Sequence, residues 1–181
     1  PSSPLVPRLR PFQRSADGQQ LLTVRQMSQL EEARGSHGRS GQQIAGWNSV
    51  WAPMGSDGYP RPLWDMKTGK IDPAVASYMR DNGYDLLAYL EKNWTKIGPL
   101  LTNKIHLEVG DMDGWYLNLG VYSFDDFFKK HPEAHATFVY GRPLAGHGRR
   151  PWTTTERLRL MAKHVKESAP AGTDVRGWYE P

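Results

Sequence analysis

The sequence predicts an α/β fold, because two short strands near its C-terminal end are each followed by a helix. Residues 105–109 alternate apolar and polar side chains, and the apolar run 136–140 has the length of a second strand. This strand–helix repeat is that of a βαβ unit. We therefore expect residues 104–109 and 136–140 to be neighbouring parallel strands of one sheet, with the intervening helix packed on one face.

The composition is that of a globular protein, and it excludes several kinds of chemistry. The 181 residues are 38% hydrophobic, and the net charge of +4 is spread without a basic stripe, so no nucleic-acid partner is expected. No apolar run approaches the roughly 20 residues of a membrane span. The lack of cysteine removes disulfides, a thiol nucleophile and Cys-based zinc sites. No signal peptide is visible, and a secreted or periplasmic location is slightly favoured over a cytoplasmic one.

The first part of the chain, residues 1–103, is interpreted as a helical and loop region that could form a cap or an insertion. Residues 1–20 lack periodicity and are expected to be loop. Capping signals at Thr23 and Asp72 and the apolar spacing predict helices over residues 24–34, 42–51, 72–82 and 85–93. Gly98-Pro99 is expected to break the last of these. Residues 52–69 form a long segment interrupted by Pro and Gly, and a segment of that length is uncommon unless it is functional.

The second part of the chain, residues 104–181, is interpreted as the C-terminal βαβα part of an α/β core. The helix over residues 117–130 should bury Leu119, Phe124 and Phe128. A final helix over residues 155–168 should turn four apolar side chains inward, those of Leu158, Leu160, Met161 and Val165. Because two strands alone do not make a stable doubly wound sheet, we expect this chain to be the C-terminal half of a larger α/β domain.

Two carboxylates and a histidine follow the two predicted strands. Asp111 and Asp113 come after the strand-terminal Gly110, and His147 lies in the loop beyond the second strand. Open α/β sheets carry their chemistry at the carboxyl ends of their strands. We therefore expect Asp113 to hydrogen bond to His147, with Asp111 pointing at helix amides. The alternative is that both aspartates only cap the helix that begins near Trp115, and that the histidine is a solvated turn residue.

Two further patterns suggest metal sites, but each lacks a necessary ligand. The string HPEAH has Pro132 where a zinc protease needs Glu, and a calcium-like loop starting at Asp111 has Tyr122 at its twelfth position. No metal and no cofactor are therefore predicted. Several aromatic residues are candidates to line a substrate pocket, although such residues more often pin a loop to the body of a protein: Trp51, Tyr59, Trp64 and Trp115.

Three segments resemble the C-terminal half of bacterial esterases of the α/β-hydrolase superfamily. They are GQQIAGWNSVWAPMGSDGYPRPLWDMKTGKID, NWTKIGPLLTNKIHLEVGDMDGWYLNLGVYSFDDFF and YGRPLAGHG, and the resemblance extends over roughly residues 10–180. It implies a serine hydrolase that acts on a small-molecule ester or acyl substrate. It also implies that Asp113 is the acid of the catalytic triad, with Asp111 as the alternative acid, and that His147 is the base.

The chain departs from the pattern of that superfamily because it contains no G-x-S-x-G nucleophile elbow. The nearest string is Gly38-Arg39-Ser40-Gly41, which follows no predicted strand and whose second Gly comes one residue early. The serine and the oxyanion hole would then belong to an N-terminal half of the domain, which becomes the expected partner. The chain alone should not hydrolyse esters. The alternative hypothesis is a non-catalytic hydrolase remnant or a binding or structural module.

Overall fold

The computed structural model describes residues 10–148 and 152–175, in which helices accompany two separate two-stranded sheets. This part of the chain therefore has an α/β architecture in the general sense. The first nine residues of the loop predicted for residues 1–20 lie outside the described residues, as do residues 149–151 and 176–181. The elements in chain order are β1 Pro11–Arg14, β2 Gln20–Thr23, α1 Val24–Glu32, α2 Gln43–Trp51, α3 Pro73–Asp81, α4 Leu86–Leu101, β3 His106–Gly110, α5 Leu117–Phe128, β4 Thr137–Gly141 and α6 Thr154–Ser168.

The predicted pair of parallel strands is confirmed. β3 and β4 align in parallel from His106 opposite Thr137 to Gly110 opposite Gly141, and α5 connects them. The buried side chains of α5 contact α4 and the short helical turn before β4, in a core formed by Leu90, Phe127, Phe128 and Ala134. The carboxyl ends of β3 and β4 therefore lie side by side, and the loops that follow them meet at one edge of the sheet.

One residue of α5 lies on the opposite side from the one predicted. Phe128 is buried and Phe124 packs against the core, as expected, but Leu119 is 53% exposed. At 3.6 residues per turn, Leu119 lies nine residues before Phe128 and therefore on the far side of the helix. The prediction that Leu119 is buried was wrong because it followed hydrophobicity alone and not the helical period.

An N-terminal hairpin replaces part of the predicted loop. β1 and β2 pair antiparallel, with an irregular register around Gln13. The turn between them is closed by the Ser15 amide, which donates to the Gln19 carbonyl at 2.9 Å, and Gly18 adopts a φ of +90°. Asp17-Gly18 is a common hairpin signal because Gly reaches this region of φ without strain. The prediction failed because the strand PFQR is too short and too polar to show a clear period of two.

Several helices begin where the capping signals place them. The Thr23 hydroxyl accepts from the Gln26 amide at 3.2 Å, and the Gln26 side chain accepts from the Thr23 amide at 2.9 Å, which completes the capping box of α1. Asp72 caps α3, whose first residue is Pro73. The start of α2 is capped from outside by the buried Glu31 carboxylate, which accepts from two of its amides at 2.8 and 3.0 Å.

Two other helices differ from their predictions. α4 continues through Gly98 and Pro99 to Leu101, and the absence of a side chain at Gly98 allows the Trp94 ring to pack closely. The apolar residues of α6 expected to face inward are 46–58% exposed, and Ala162 is the buried one instead. In the part of the chain that the structure describes, no helix is both long enough and apolar enough to cross a bilayer.

Candidate active site

The turn after β3 buries one carboxylate and uses it to start α5. Asp113 is 3% exposed, and its Oδ1 accepts from the amides of Trp115 and Leu117 at 2.8 and 3.2 Å. Tyr116, at the N-cap position, supplies no side-chain hydrogen bond and has a φ of +62°. Asp113 therefore performs the capping that Tyr116 cannot perform. Its second oxygen, Oδ2, remains available for a different partner.

That partner is His147, from the loop after β4. Its Nδ1 lies 2.8 Å from Asp113 Oδ2, which is the distance of a charge-assisted hydrogen bond. The predicted contact between the 110–114 turn and His147 is thus present. The Asp113 side chain is 4% exposed, whereas that of His147 is 51% exposed. The pair therefore joins a shielded acid to an imidazole that solvent or another group can reach.

The two loops approach so closely because Gly110 has no side chain. A Cβ atom at this position would lie 2.4 Å from the carbonyl oxygens of both Ala145 and Gly146, which are backbone atoms that cannot easily give way. The Met112 amide also donates to the Ala145 carbonyl at 2.9 Å. The loop that carries His147 is therefore held directly against the turn that carries Asp113.

The geometry determines which nitrogen of His147 is free. Because a carboxylate only accepts hydrogen bonds, Nδ1 carries the hydrogen and Nε2 keeps its lone pair in the neutral ring. No group within residues 10–148 and 152–175 hydrogen bonds to Nε2. A half-exposed imidazole in this tautomer can accept a proton from a neighbouring hydroxyl group.

Asp111 has a different role from the one predicted. Its Oδ1 accepts from the Tyr122 hydroxyl, and its Oδ2 accepts from Arg142 Nε at 3.0 Å. The hydrogen bond from Tyr122, assisted by Arg142, lowers the pKa of Asp111 below its ordinary value of 3.8. The prediction that Asp111 points at helix amides was wrong, because the turn places Asp113 over the start of α5. Asp111, the alternative acid, bonds to these two residues and not to His147.

The sequence did not predict a set of contacts between β1 and the turn of residues 110–114, which we call the acid turn. The Arg14 amide donates to the Gly114 carbonyl at 2.9 Å, and its Nε donates to the Asp113 backbone carbonyl at 3.0 Å. Nη2 donates at 2.9 Å to Oδ1 of Asn118, which is 2% exposed. The guanidinium carbon lies 4.5 Å from the centre of the Tyr116 ring. Asp17-Gly18 could have revealed the hairpin, but no sequence signal pairs Arg14 with a turn 99 residues away.

Two of the four aromatic pocket candidates lie at or near this site. The Trp115 ring is edge-on to His147, with 6.3 Å between the ring centres, and Phe12 of β1 lies 5.3 Å from Trp115. Trp64 extends the cluster at 6.5 Å from Phe12 and donates its indole N–H to Ser28. Trp115, Phe12 and Trp64 thus form a continuous aromatic cluster, in which the Trp115 ring contacts the imidazole.

The other two candidates are engaged elsewhere. The Trp51 ring packs edge-on against Tyr84, and the Tyr59 ring lies 3.6 Å below the guanidinium carbon of Arg39. Open cavities of about 630 and 390 Å³ border α3 and the start of α4, and none of the four candidates lines either of them. The structure thus does not bring Trp51 and Tyr59 into ring contact with His147.

The described residues offer no alternative centre based on a metal. Within residues 10–148 and 152–175, no group of three or more His, Asp or Glu side chains is arranged to hold a metal ion. In comparisons with known proteins, no family model, no curated protein and no solved structure matches this chain. The geometry of Asp113 and His147 is therefore the basis on which a function can be inferred.

Proposed function

We propose that this chain carries the acid and the general base of a serine hydrolase that cleaves esters or related acyl compounds. The observation that carries the proposal is the 2.8 Å hydrogen bond between buried Asp113 and half-exposed His147. The acid follows one parallel strand and the base follows the next, which is the chain order of these two groups in an α/β-hydrolase. Resemblance of the sequence to bacterial esterases gives the proposal its substrate class.

The proposed reaction uses both nitrogens of His147. A serine hydroxyl attacks the carbonyl carbon of the substrate while Nε2 accepts the hydroxyl proton, and Asp113 stabilises the resulting imidazolium. The tetrahedral intermediate then breaks its bond to the alcohol, which leaves with the proton from Nε2. Water attacks the acyl-serine, passes a proton to His147 and releases the carboxylic acid, and the serine regains its proton from the imidazolium.

In this proposal the serine comes from a segment encoded before Pro1. Ser40, in the string nearest to a nucleophile elbow, follows α1 and donates to the buried Glu31 carboxylate at 3.0 Å. Among the described strands β3 pairs only with β4, so one edge of β3 is open. A two-stranded sheet is marginal by itself. An additional segment that extends this sheet could supply both the missing strands and the nucleophile.

The test compares the 181-residue chain with the protein produced from its complete reading frame. We expect the complete protein to hydrolyse a nitrophenyl ester and to be labelled covalently by a serine-reactive fluorophosphonate. The chain alone should do neither, because without a nucleophile the acid and base cannot form an acyl-enzyme. His147→Gln in the complete protein should reduce turnover by several orders of magnitude, with folding checked by circular dichroism.

Two outcomes would argue for the alternative, a non-catalytic remnant or a binding module. One is a complete reading frame that encodes no additional α/β segment and no G-x-S-x-G elbow. The other is a complete protein with such an elbow that neither hydrolyses acyl substrates nor reacts with the fluorophosphonate. Phosphonate-sensitive turnover by the 181-residue chain would instead show that a serine within it, such as Ser40, acts as the nucleophile.

A further inference from the structure

We propose that Arg14 is a positioning residue, which fixes Asp113 for its hydrogen bond with His147. The proposal rests on the proposed function, in which that hydrogen bond orients the general base. It adds a residue from the N-terminal hairpin to a site whose other members come from the loops after β3 and β4.

The contacts of Arg14 extend across the whole acid turn. Its backbone amide bonds to Gly114, its Nε bonds to the backbone carbonyl of Asp113, and its Nη2 bonds to Asn118 in the first turn of α5. A guanidinium group presents its donors in a planar fork, so the two side-chain hydrogen bonds fix the relative positions of their acceptors. The ring of Tyr116 lies against the guanidinium group, 4.5 Å from its carbon, and further restricts its position.

The guanidinium group acts on the backbone of Asp113 and leaves its carboxylate to other partners. Oδ1 is bonded to the amides of Trp115 and Leu117, and Oδ2 is bonded to His147. An Arg bonded directly to Oδ2 would compete with the imidazole and would neutralise the charge that stabilises the imidazolium. The observed arrangement holds the residue in place while its negative charge remains directed at His147.

Displacement of the turn would act directly on the acid–base hydrogen bond. Asp113 shares its backbone with the turn that Arg14 holds, and its carboxylate is tied to the first amides of α5. If Arg14 is lost, the buried Asn118 oxygen loses its donor and the turn can rotate relative to the loop that carries His147. The expected consequence is a longer and weaker bond between Oδ2 and Nδ1, without the removal of either group.

The first experiment determines the tautomer of His147 by long-range ¹H–¹⁵N NMR of the 181-residue chain at mildly alkaline pH. Wild type should show His147 predominantly as the Nδ1–H tautomer. Arg14→Gln should shift the ring toward a mixture of tautomers. Arg14→Lys should not restore the wild-type signal, because Lys keeps the charge but lacks the fork. The matched control is Arg142→Gln, which removes an Arg from Asp111 in the same turn and should leave the tautomer of His147 unchanged.

An unchanged His147 tautomer in a folded Arg14→Gln variant would overturn the proposal. If Arg14→Gln does not fold, Arg14→Lys and Asn118→Ala decide in the same way, because the first removes the fork and the second removes one of its two acceptors. A tautomer shift in Arg142→Gln as large as in Arg14→Gln would also overturn it, since the effect would then not be specific to Arg14.

The second experiment separates this proposal from the proposed function. In a complete protein that hydrolyses esters, Arg14→Gln should lower kcat by about 100-fold and leave KM nearly unchanged, because it misplaces the acid without touching the substrate. If Arg14→Gln lowers the stability of the protein but leaves kcat unchanged, the positioning role is overturned. If the complete protein has no hydrolase activity, the proposed function fails, and the tautomer experiment still decides whether Arg14 orients the pair.

Discussion

The two carboxylate oxygens of Asp113 bind different partners, one at the start of helix α5 and the other on the imidazole of His147. Capping and catalysis were alternative hypotheses for this residue, but Oδ1 bonds to amides at the start of α5 and Oδ2 bonds to His147. The cap strengthens the catalytic hypothesis, because it prevents rotation of the carboxylate about its side-chain bonds. A residue with both tasks should affect the tautomer of His147 and the stability of α5 when it is changed.

We predict that Asp113→Asn switches the tautomer of His147 but lowers the stability of the protein only slightly. The Asn oxygen can still accept from the α5 amides, but its NH₂ group then faces Nδ1 and forces the ring hydrogen onto Nε2. The NMR experiment above should show predominantly the Nε2–H form. In a complete hydrolase kcat should fall by about 10⁴-fold, as for the corresponding change in a serine protease. Stability in urea should fall by only about 1 kcal/mol, as for a weakened cap.

The control for this prediction is Asp111→Asn. Asp111 bonds to Tyr122 and Arg142, so its replacement should leave the tautomer of His147 as in wild type. If Asp111→Asn changes the tautomer and Asp113→Asn does not, the assignment of the acid is wrong.

Asp111 should make stability depend on pH in the acidic range. The hydrogen bond from Tyr122, together with Arg142, lowers the pKa of Asp111 in the folded protein below 3.8, its ordinary value. A lowered pKa means that the stabilising contribution is fully present above about pH 3.8 and is lost as the pH falls through the folded-state pKa. We expect Asp111→Asn to be less stable than wild type near neutral pH, and the difference to shrink in strong acid. A difference in urea-unfolding free energy that is constant across this range would contradict the prediction.

At the scale of elements, local sequence signals predicted helix starts and the pairing of nearby strands. Contacts between segments about a hundred residues apart were not predicted. The cap at Asp72, the pairing of β3 with β4 and the bond from Asp113 to His147 followed from patterns within a few residues and from the topology of parallel strands. The choice between the two aspartates for capping depended on the backbone path of the turn, which composition does not encode. Arg14 was missed because its partners lie about a hundred residues away, and such pairing leaves no period in a single sequence.

We predict that Gly110→Ala separates the ends of β3 and β4. The added methyl group would meet two backbone oxygens of the loop that carries His147, each at 2.4 Å, so one loop must move. Stability should fall by about 1–3 kcal/mol, as for other overpacked sites, and the Nδ1–H signal of His147 should weaken at the same time. Gly120→Ala is the matched control. It adds the same methyl group within α5, where nothing lies within 4 Å, and should stabilise the protein by about 0.5–1 kcal/mol.

At the scale of the whole molecule, several large apolar side chains of the helices are exposed on the described surface. Leu158, Met161 and Val165 recur at helical spacing on α6 and are 47–58% exposed. Contiguous apolar surface of this kind commonly marks an interface. Together with the open edge of β3, it supports the proposal that a preceding segment completes the sheet. It also explains why the apolar pattern of α6 predicted burial that the described part of the chain does not provide.

Hydrogen–deuterium exchange can test whether that segment extends the sheet at β3. Successive elements are usually neighbours in space, so strands that precede β3 in the chain should join its open edge and leave the outer edge of β4 as it is. In the 181-residue chain, the amides of residues 106–110 that face away from β4 should exchange rapidly. In the protein from the complete reading frame, these same amides should become strongly protected, while the outward-facing amides of residues 137–141 exchange as before.

Protection of β4 alone would place the added strands on the wrong side for the proposed domain, and no protection at either edge would favour the binding-module alternative. Exchange reports on backbone pairing and not on turnover. The result therefore distinguishes a protein whose sheet is extended but which does not hydrolyse esters from one whose sheet is not extended at all.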